Sequence, residues 1–227
     1  MSELFSKSQS SVETYSAKDI EVLEGLEPVR RRPGMYIGGT DERAFHHLVV
    51  EILDNAMDEA VAGHANRIDL MINSDGSVSV RDNGRGIPID PHPKFPQKSA
   101  LEVILTTLHS GAKFGGKSYK TAGGLHGVGL SVVNALSERL IIEVSANREL
   151  WRQEYAEGHP VSLLEKKGAS AYRHGTLITF WPDSKIFGED VRFRPSILYK
   201  MARSKAYLFK GVTIHWQCDE TLCTDTI

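Results

Sequence analysis

The chain has 227 residues, enough to bury a full core as one large domain or two small ones. Its 27 Lys and Arg nearly cancel its 29 Asp and Glu, leaving a formal charge of −2, so composition offers no domain-wide basic surface for nucleic acid. Cys218 and Cys223 have no matching Cys/His pair, and no apolar run approaches the roughly 20 residues of a membrane span. The polar, Ser-rich start, Met1 to Tyr15, does not read as a signal peptide, so a cytoplasmic protein with no membrane segment is expected.

In chain order, residues 1–14 read as a mobile arm and residues 15–227 as the folded unit. Residues 20–26 are a short apolar-periodic piece, closed by a basic turn at Arg30-Arg31-Arg32-Pro33-Gly34. The spacing predicts a helix over 45–61, stopped by Gly63. Two strands follow at 67–73 and 78–82, joined by Ser74-Asp75-Gly76-Ser77. A second helix is expected over 99–109, then a glycine-rich loop over 111–124 and a helix from about Gly129. Strands are predicted at 140–146, 150–155, 176–181 and 212–216, with a helix over 197–208. Helices and strands without regular alternation indicate an α+β layered sandwich rather than a doubly wound sheet.

Three local patterns point to chemistry. The segment Gly123-Gly124-Leu125-His126-Gly127-Val128-Gly129 lies directly before a helical run, a context in which free backbone N–H groups and a positive helix end suit phosphate. On the helix 45–61, a wheel of 100° per residue gathers His47, Glu51, Asp54, Asn55 and Asp58 into one stripe about 100° wide. That stripe is either a cavity lining or a solvated face. Glu51 and Asn55, four apart, address one ligand together: the carboxylate suits a general base, the amide oxygen a hard metal such as magnesium. Alternation puts Val78, Val80 and Asp82 on one strand face, so Asp82 is either a buried acceptor for a base amino group or a cap for the turn Asn83-Gly84-Arg85-Gly86-Ile87-Pro88. Thr176 shares a face with Ile178 and Phe180 and is either a second polar contact to a base or simply a strand former. Lys113 and Tyr119 flank the loop.

Taken together, Glu27-Pro-Val-Arg-Arg-Arg-Pro-Gly-Met-Tyr-Ile-Gly38, Glu51-Ile-Leu-Asp-Asn-Ala-Met-Asp-Glu-Ala60, Asp82-Asn-Gly-Arg-Gly-Ile-Pro88 and the glycine segment continuing to Leu136 resemble a known family. It is the GHKL (Bergerat) nucleotide-binding fold of type II topoisomerases, the ninety-kilodalton heat-shock chaperone, histidine kinases and mismatch-repair MutL proteins. The match is nearest to the ATPase domain of bacterial gyrase and topoisomerase IV B subunits, and residues 90–104 lean towards topoisomerase IV. The resemblance implies a two-layer α/β sandwich, with a mixed, mainly antiparallel sheet and helices on one face. It implies ATP and Mg2+ as cofactors. Glu51 would polarise the attacking water, His47 orient it, and Asn55 hold the metal. Asp82, Gly86 and Thr176 would bind adenine, with Ile87 and Pro88 at the base and Arg85 paired to Glu59. Arg152 would stand at the pocket mouth. Lys113, Tyr119 and Gly123, Gly124, Leu125, His126, Gly127, Val128 and Gly129 would close over the phosphates, and Tyr15 would reach a second copy of the B subunit. The whole enzyme would pair two B subunits with two copies of the topoisomerase IV A subunit, an A2B2 heterotetramer acting on DNA. Ala112 and Ala122 depart from the family pattern in the loop, and the γ-phosphate lysine of the family's next domain is not in this chain. Gyrase, a switch module with negligible turnover and a phosphotransfer kinase are the competing expectations.

Overall fold

The computed structural model describes residues 22–110 and 129–222. Its longest helix is Glu42–Val61, which starts three residues before the apolar period suggests. Asp41 sets that start: its Oδ1 accepts the Ala44 N–H at 2.9 Å, satisfying one of the donors left over at a helix N-terminus. Gly63 ends the helix as expected, with φ +78 and its N–H donating to the Ala60 carbonyl.

The arginine-rich stretch before this helix is not the turn its sequence suggests. It forms two short helices, α1 (Glu27–Arg31) and α2 (Gly34–Ile37), so that Glu42–Val61 is α3. Pro28 in the first turn of α1 costs no hydrogen bond, and Glu27 and Arg30/Arg31 sit at the ends their charges favour. Arg30 is also partly buried. It donates to the Ala135 carbonyl and to Asp183, each at 2.6 Å.

Strands β1 (Arg67–Ile72) and β2 (Val78–Asp82) pair antiparallel across a tight turn. In it Asp75 accepts the Ser77 N–H, and Gly76 takes φ +82. A small exposed hairpin, β3 (Pro91–His92) and β4 (Phe95–Ser99), has no strong signal in the sequence. It leads into α4 (Ala100–Thr106), capped by Ser99 and shorter than expected because Thr107 is already extended. Helix α5 (Gly129–Ala135) follows. The remaining chain forms β5 (Ser137–Ala146), β6 (Glu149–Ala156), β7 (His159–Pro160), β8 (Glu165–Ala169), β9 (His174–Pro182), α6 (Ser184–Phe187), α7 (Pro195–Leu208) and β10 (Thr213–Cys218).

Among the described residues these strands build one eight-stranded sheet in the order β10-β1-β2-β9-β5-β6-β7, with β8 pairing β6. Only the β1–β10 pair among them is parallel; the others are antiparallel. Period-2 alternation buries one face: Ile68, Leu70, Ile72, Val78, Val80, Leu140, Ile142, Val144, Ile178 and Phe180. Against it lie Leu48, Val49, Ile52, Leu53 and Ala56 of α3 and Val132 and Val133 of α5, in one continuous core. Burying each such aliphatic side chain contributes about 1.5–3 kcal/mol, so the apolar side of α3 decides where its polar side points. The layered α+β class read from the sequence holds.

One polar group is built into this packing. His46 is buried between Phe45 and Phe193, with Nδ1–H donating to the Glu42 carbonyl at 2.7 Å. Its Nε2 accepts the Arg194 N–H at 2.9 Å, latching α3 to the start of α7. Burial is the main cause lowering its pKa below 6.5, and a second proton would also occupy the lone pair that Arg194 uses. A depressed histidine pKa makes the unfolded chain the better proton binder, so this contribution is complete above about pH 6.5 and lost as pH falls below it. The melting temperature of His46→Gln should therefore fall less steeply than that of the parent between about pH 7 and 5. Parallel slopes in a pH series of thermal melts would contradict this.

Candidate functional site

The site lies where the end of β2, the polar side of α3 and the start of α5 come together. Strand alternation carries Asp82 to the buried face behind Val78 and Val80, where it is 5% exposed. Ladder register sets Thr176 of β9 beside it and Val144 of β5 beyond. Asp82 also caps its own turn, Oδ1 accepting the Gly84 N–H at 2.8 Å. Burial is the dominant influence on this carboxyl and pushes its pKa up to about 7. The Gly84 and Thr176 amides and Arg81 oppose that rise, while the charge of Glu59 adds to it.

Glycines give the turn its shape. A Cβ on Gly175 would collide with the Asp82 carbonyl, and one on Gly86 would sit 3.1 Å from Val144 Cγ1 and 3.2 Å from the Ser145 carbonyl. Gly86 also takes φ +82, which returns the chain under β5. Ile87 then donates its N–H to Thr176 Oγ1 at 3.3 Å, which leaves the threonine proton for another acceptor. Ile87 is half-buried against the core, whereas Pro88 is exposed.

On α3 the stripe is graded in burial rather than a uniformly solvated face. Glu51, Asp54 and Asn55 are half-buried, His47 is more open, and Asp58 is sealed into the interior. His47 Nε2 lies 3.1 Å from Glu51 Oε1, and this hydrogen bond is the main cause of a raised histidine pKa. Glu51 presses on the first residue of α5: a Cβ on Gly129 would overlap Glu51 Oε2. A side chain at position 129 would push the end of the Glu51 side chain aside, so the glycine lets the carboxylate rest against the start of α5. Arg85 holds Glu59 through Nε at 3.1 Å, Nη2 at 2.8 Å and its backbone N–H at 3.1 Å. Lys205 of α7 reaches Asp54, a pairing across 151 positions that no sequence spacing signals.

Arg152 is not brought into this set. It follows Trp151, which pairs with the core residue Val144, so alternation turns Arg152 to the other sheet face. There it meets Glu154 at 2.6 Å and Glu143 at 3.9 Å. Tyr15, Lys113, Tyr119, Gly123, Gly124, Leu125, His126, Gly127 and Val128 lie outside the described residues.

The donor set fits an adenine nucleotide. Asp82 is an acceptor walled by backbone, Thr176 supplies a hydroxyl on the same face, and Glu51 stands at the far side against α5. The described residues contain no group of three or more His, Cys, Asp or Glu arranged for a metal ion. Asn55, half-buried on α3, carries an amide oxygen of the kind a hard cation accepts.

The chain belongs to the histidine kinase-, DNA gyrase B- and HSP90-like ATPase family, which matches residues 40–186. Within that family it is 59% identical over 230 residues to the B subunit of DNA topoisomerase 4 from Rickettsia bellii, covering 99% of this chain and 35% of that protein. It is likewise 59% identical to the topoisomerase 4 B subunit of Caulobacter vibrioides, over 97% of this chain and 32% of that protein. The DNA gyrase B subunit of Thermotoga maritima is 52% identical over 91% of this chain and 32% of its own length. Among solved structures, the 43K ATPase domain of Thermus thermophilus gyrase B in complex with an aminocoumarin superposes with a TM-score of 0.75 at 45% identity. That match covers 85% of this chain and 48% of the other. The chain spans about a third of the length of the curated relatives it matches.

The Asp82 carboxyl carries a stability signature independent of any ligand. Its folded pKa lies above the ordinary 3.8, so its contribution is complete below that value and lost as pH rises through about 7. Asp82→Asn keeps an acceptor for Gly84 and removes the charge. It should melt higher than the parent at pH 8, by about 1–3 kcal/mol of unfolding free energy, with the advantage shrinking towards pH 5. A gap that does not change with pH would count against burial as the cause.

Proposed function

We propose that this chain is the ATP-binding and ATP-hydrolysing domain, residues 15–227, of a bacterial topoisomerase IV B subunit, which works in the cytoplasm as part of a type IIA enzyme. The observation that carries the reading is Glu51, held by His47 and set against the residue that opens α5 directly behind the glycine-rich segment. Asp82 in its ionised form accepts a hydrogen bond from the adenine amino group, and the Thr176 hydroxyl donates to a ring nitrogen. Gly86, Ile87 and Pro88 flank the base. Arg85 acts through Glu59 by fixing the turn that carries Gly84. Asn55 holds Mg2+, which when bound neutralises phosphate charge. Lys113, Tyr119 and the segment from Gly123 to Gly129 contact the phosphates.

Glu51 polarises the attacking water, and His47, donating Nε2–H to Glu51 Oε1, keeps that carboxylate oriented. The remaining work is positioning and charge stabilisation, the usual division of labour in phosphoryl transfer. In the complete enzyme, nucleotide-dependent pairing of two B subunits, through contacts that include Tyr15, drives DNA strand passage together with the A subunits of topoisomerase IV. Identity to topoisomerase 4 B subunits is higher than to the gyrase B subunit of Thermotoga maritima, which favours decatenation over negative supercoiling.

In the complete protein, Glu51→Ala should lower ATP turnover by at least about 100-fold, the scale of a lost general base, and change nucleotide affinity by less than about threefold. Steady-state ATPase assays with titration of a non-hydrolysable analogue separate the two. Undiminished turnover would remove Glu51 from its role, and loss of binding alone would make it a ligand contact.

A further inference from the structure

The polar side of α3 poses an electrostatic problem for the proposed ligand. Glu51, Asp54, Asp58 and Glu59 lie within about two turns of one helix, and ATP brings phosphates of the same sign. Neighbouring side chains offset three of these groups. His47 holds Glu51, Arg85 holds Glu59, and Lys205 holds Asp54. The first two partners lie in or beside the sequence motifs of the site. Lys205 comes from α7, outside every motif, and touches the carboxylate that sits next to Asn55 and one turn, about 4.5 Å along the axis, beyond Glu51. Its side chain is 19% exposed and that of Asp54 25%, so solvent screens the pair less than it would an open surface contact.

We propose that Lys205 is a positioning residue of the nucleotide site, offsetting the Asp54 charge so that α3 accepts a polyanion beside Asn55. This rests on the nucleotide reading given above. A plain structural tie between α3 and α7 makes a different prediction. Breaking the tie from either end is then equally harmful, whereas in the electrostatic role only removal of the cation is.

The test measures binding of a non-hydrolysable ATP analogue with Mg2+ to the 227-residue chain and its variants, with circular dichroism melts as the control for folding. Lys205→Met should weaken binding by about fivefold to twentyfold, and the loss should shrink as salt is raised. Lys205→Arg should restore it. Asp54→Asn, which breaks the same tie but keeps the cation, should bind at least as tightly as the parent. The double variant Lys205→Met/Asp54→Asn should return to within about twofold of the parent, because neither charge remains. Asp54→Asn losing as much affinity as Lys205→Met, with no recovery in the double variant, would overturn the proposal in favour of a tie. Should Lys205→Met fail to fold, the affinity of Asp54→Asn still decides between the two. A parent chain that binds no nucleotide would instead overturn the nucleotide reading itself.

Discussion

The position of the α3 groups in the site follows from how that helix is seated. Its apolar side, Leu48, Val49, Ile52, Leu53 and Ala56, is buried against the sheet and α5, and a helix locked along one side has no rotational freedom left on the other. His47, Glu51 and Asn55 therefore point where they do because of residues with no chemistry of their own. The same packing brings Glu51 against Gly129, so the spacing between carboxylate and α5 is set by core contacts.

Charge in this region is handled by distribution. Asp82 is buried with backbone amides as its hydrogen-bond donors, and its pKa rises. Glu51 leans on a histidine whose own pKa is raised by the contact. Glu59 is gripped by a three-point arginine. These are three different solutions to crowded carboxylates. The buried Asp82 carboxyl stands at one end of the site and the histidine-paired Glu51 at the other.

Much of this is legible in the order of residues alone. The 3.6-residue period marks α3 and its polar side, and alternation places Asp82 and Thr176 on the buried face. Gly63, Gly76 and Ser99 mark boundaries through their own local chemistry. Features fixed by tertiary contact are the ones that escape. The helix α1 is too short for a period to register, and Arg30 reads only as part of a basic turn until Asp183 and the Ala135 carbonyl are folded beside it. A family role assigned to Arg152 says nothing of strand parity, whereas its register with Glu143 does. Asp58 falls inside the polar stripe on the wheel but inside the core in space, since a wheel does not say how far around neighbouring elements wrap. Lys205 and Asp54 lie 151 positions apart, and no local rule pairs them.

The strand order has a consequence for how the domain comes into being. Asp82 finds Thr176 only across the β2–β9 pairing, and β1 gains its outer neighbour only when β10 arrives. Both are distant in sequence, and closing such loops is entropically costly before the contacts repay it. A ribosome-bound chain that has exposed α3 and the β1–β2 hairpin holds the glutamate and the aspartate of the site but not the wall that gives the aspartate its environment. The surroundings of Asp82 are thus completed only when β9, nearly a hundred residues further along the chain, has paired with β2.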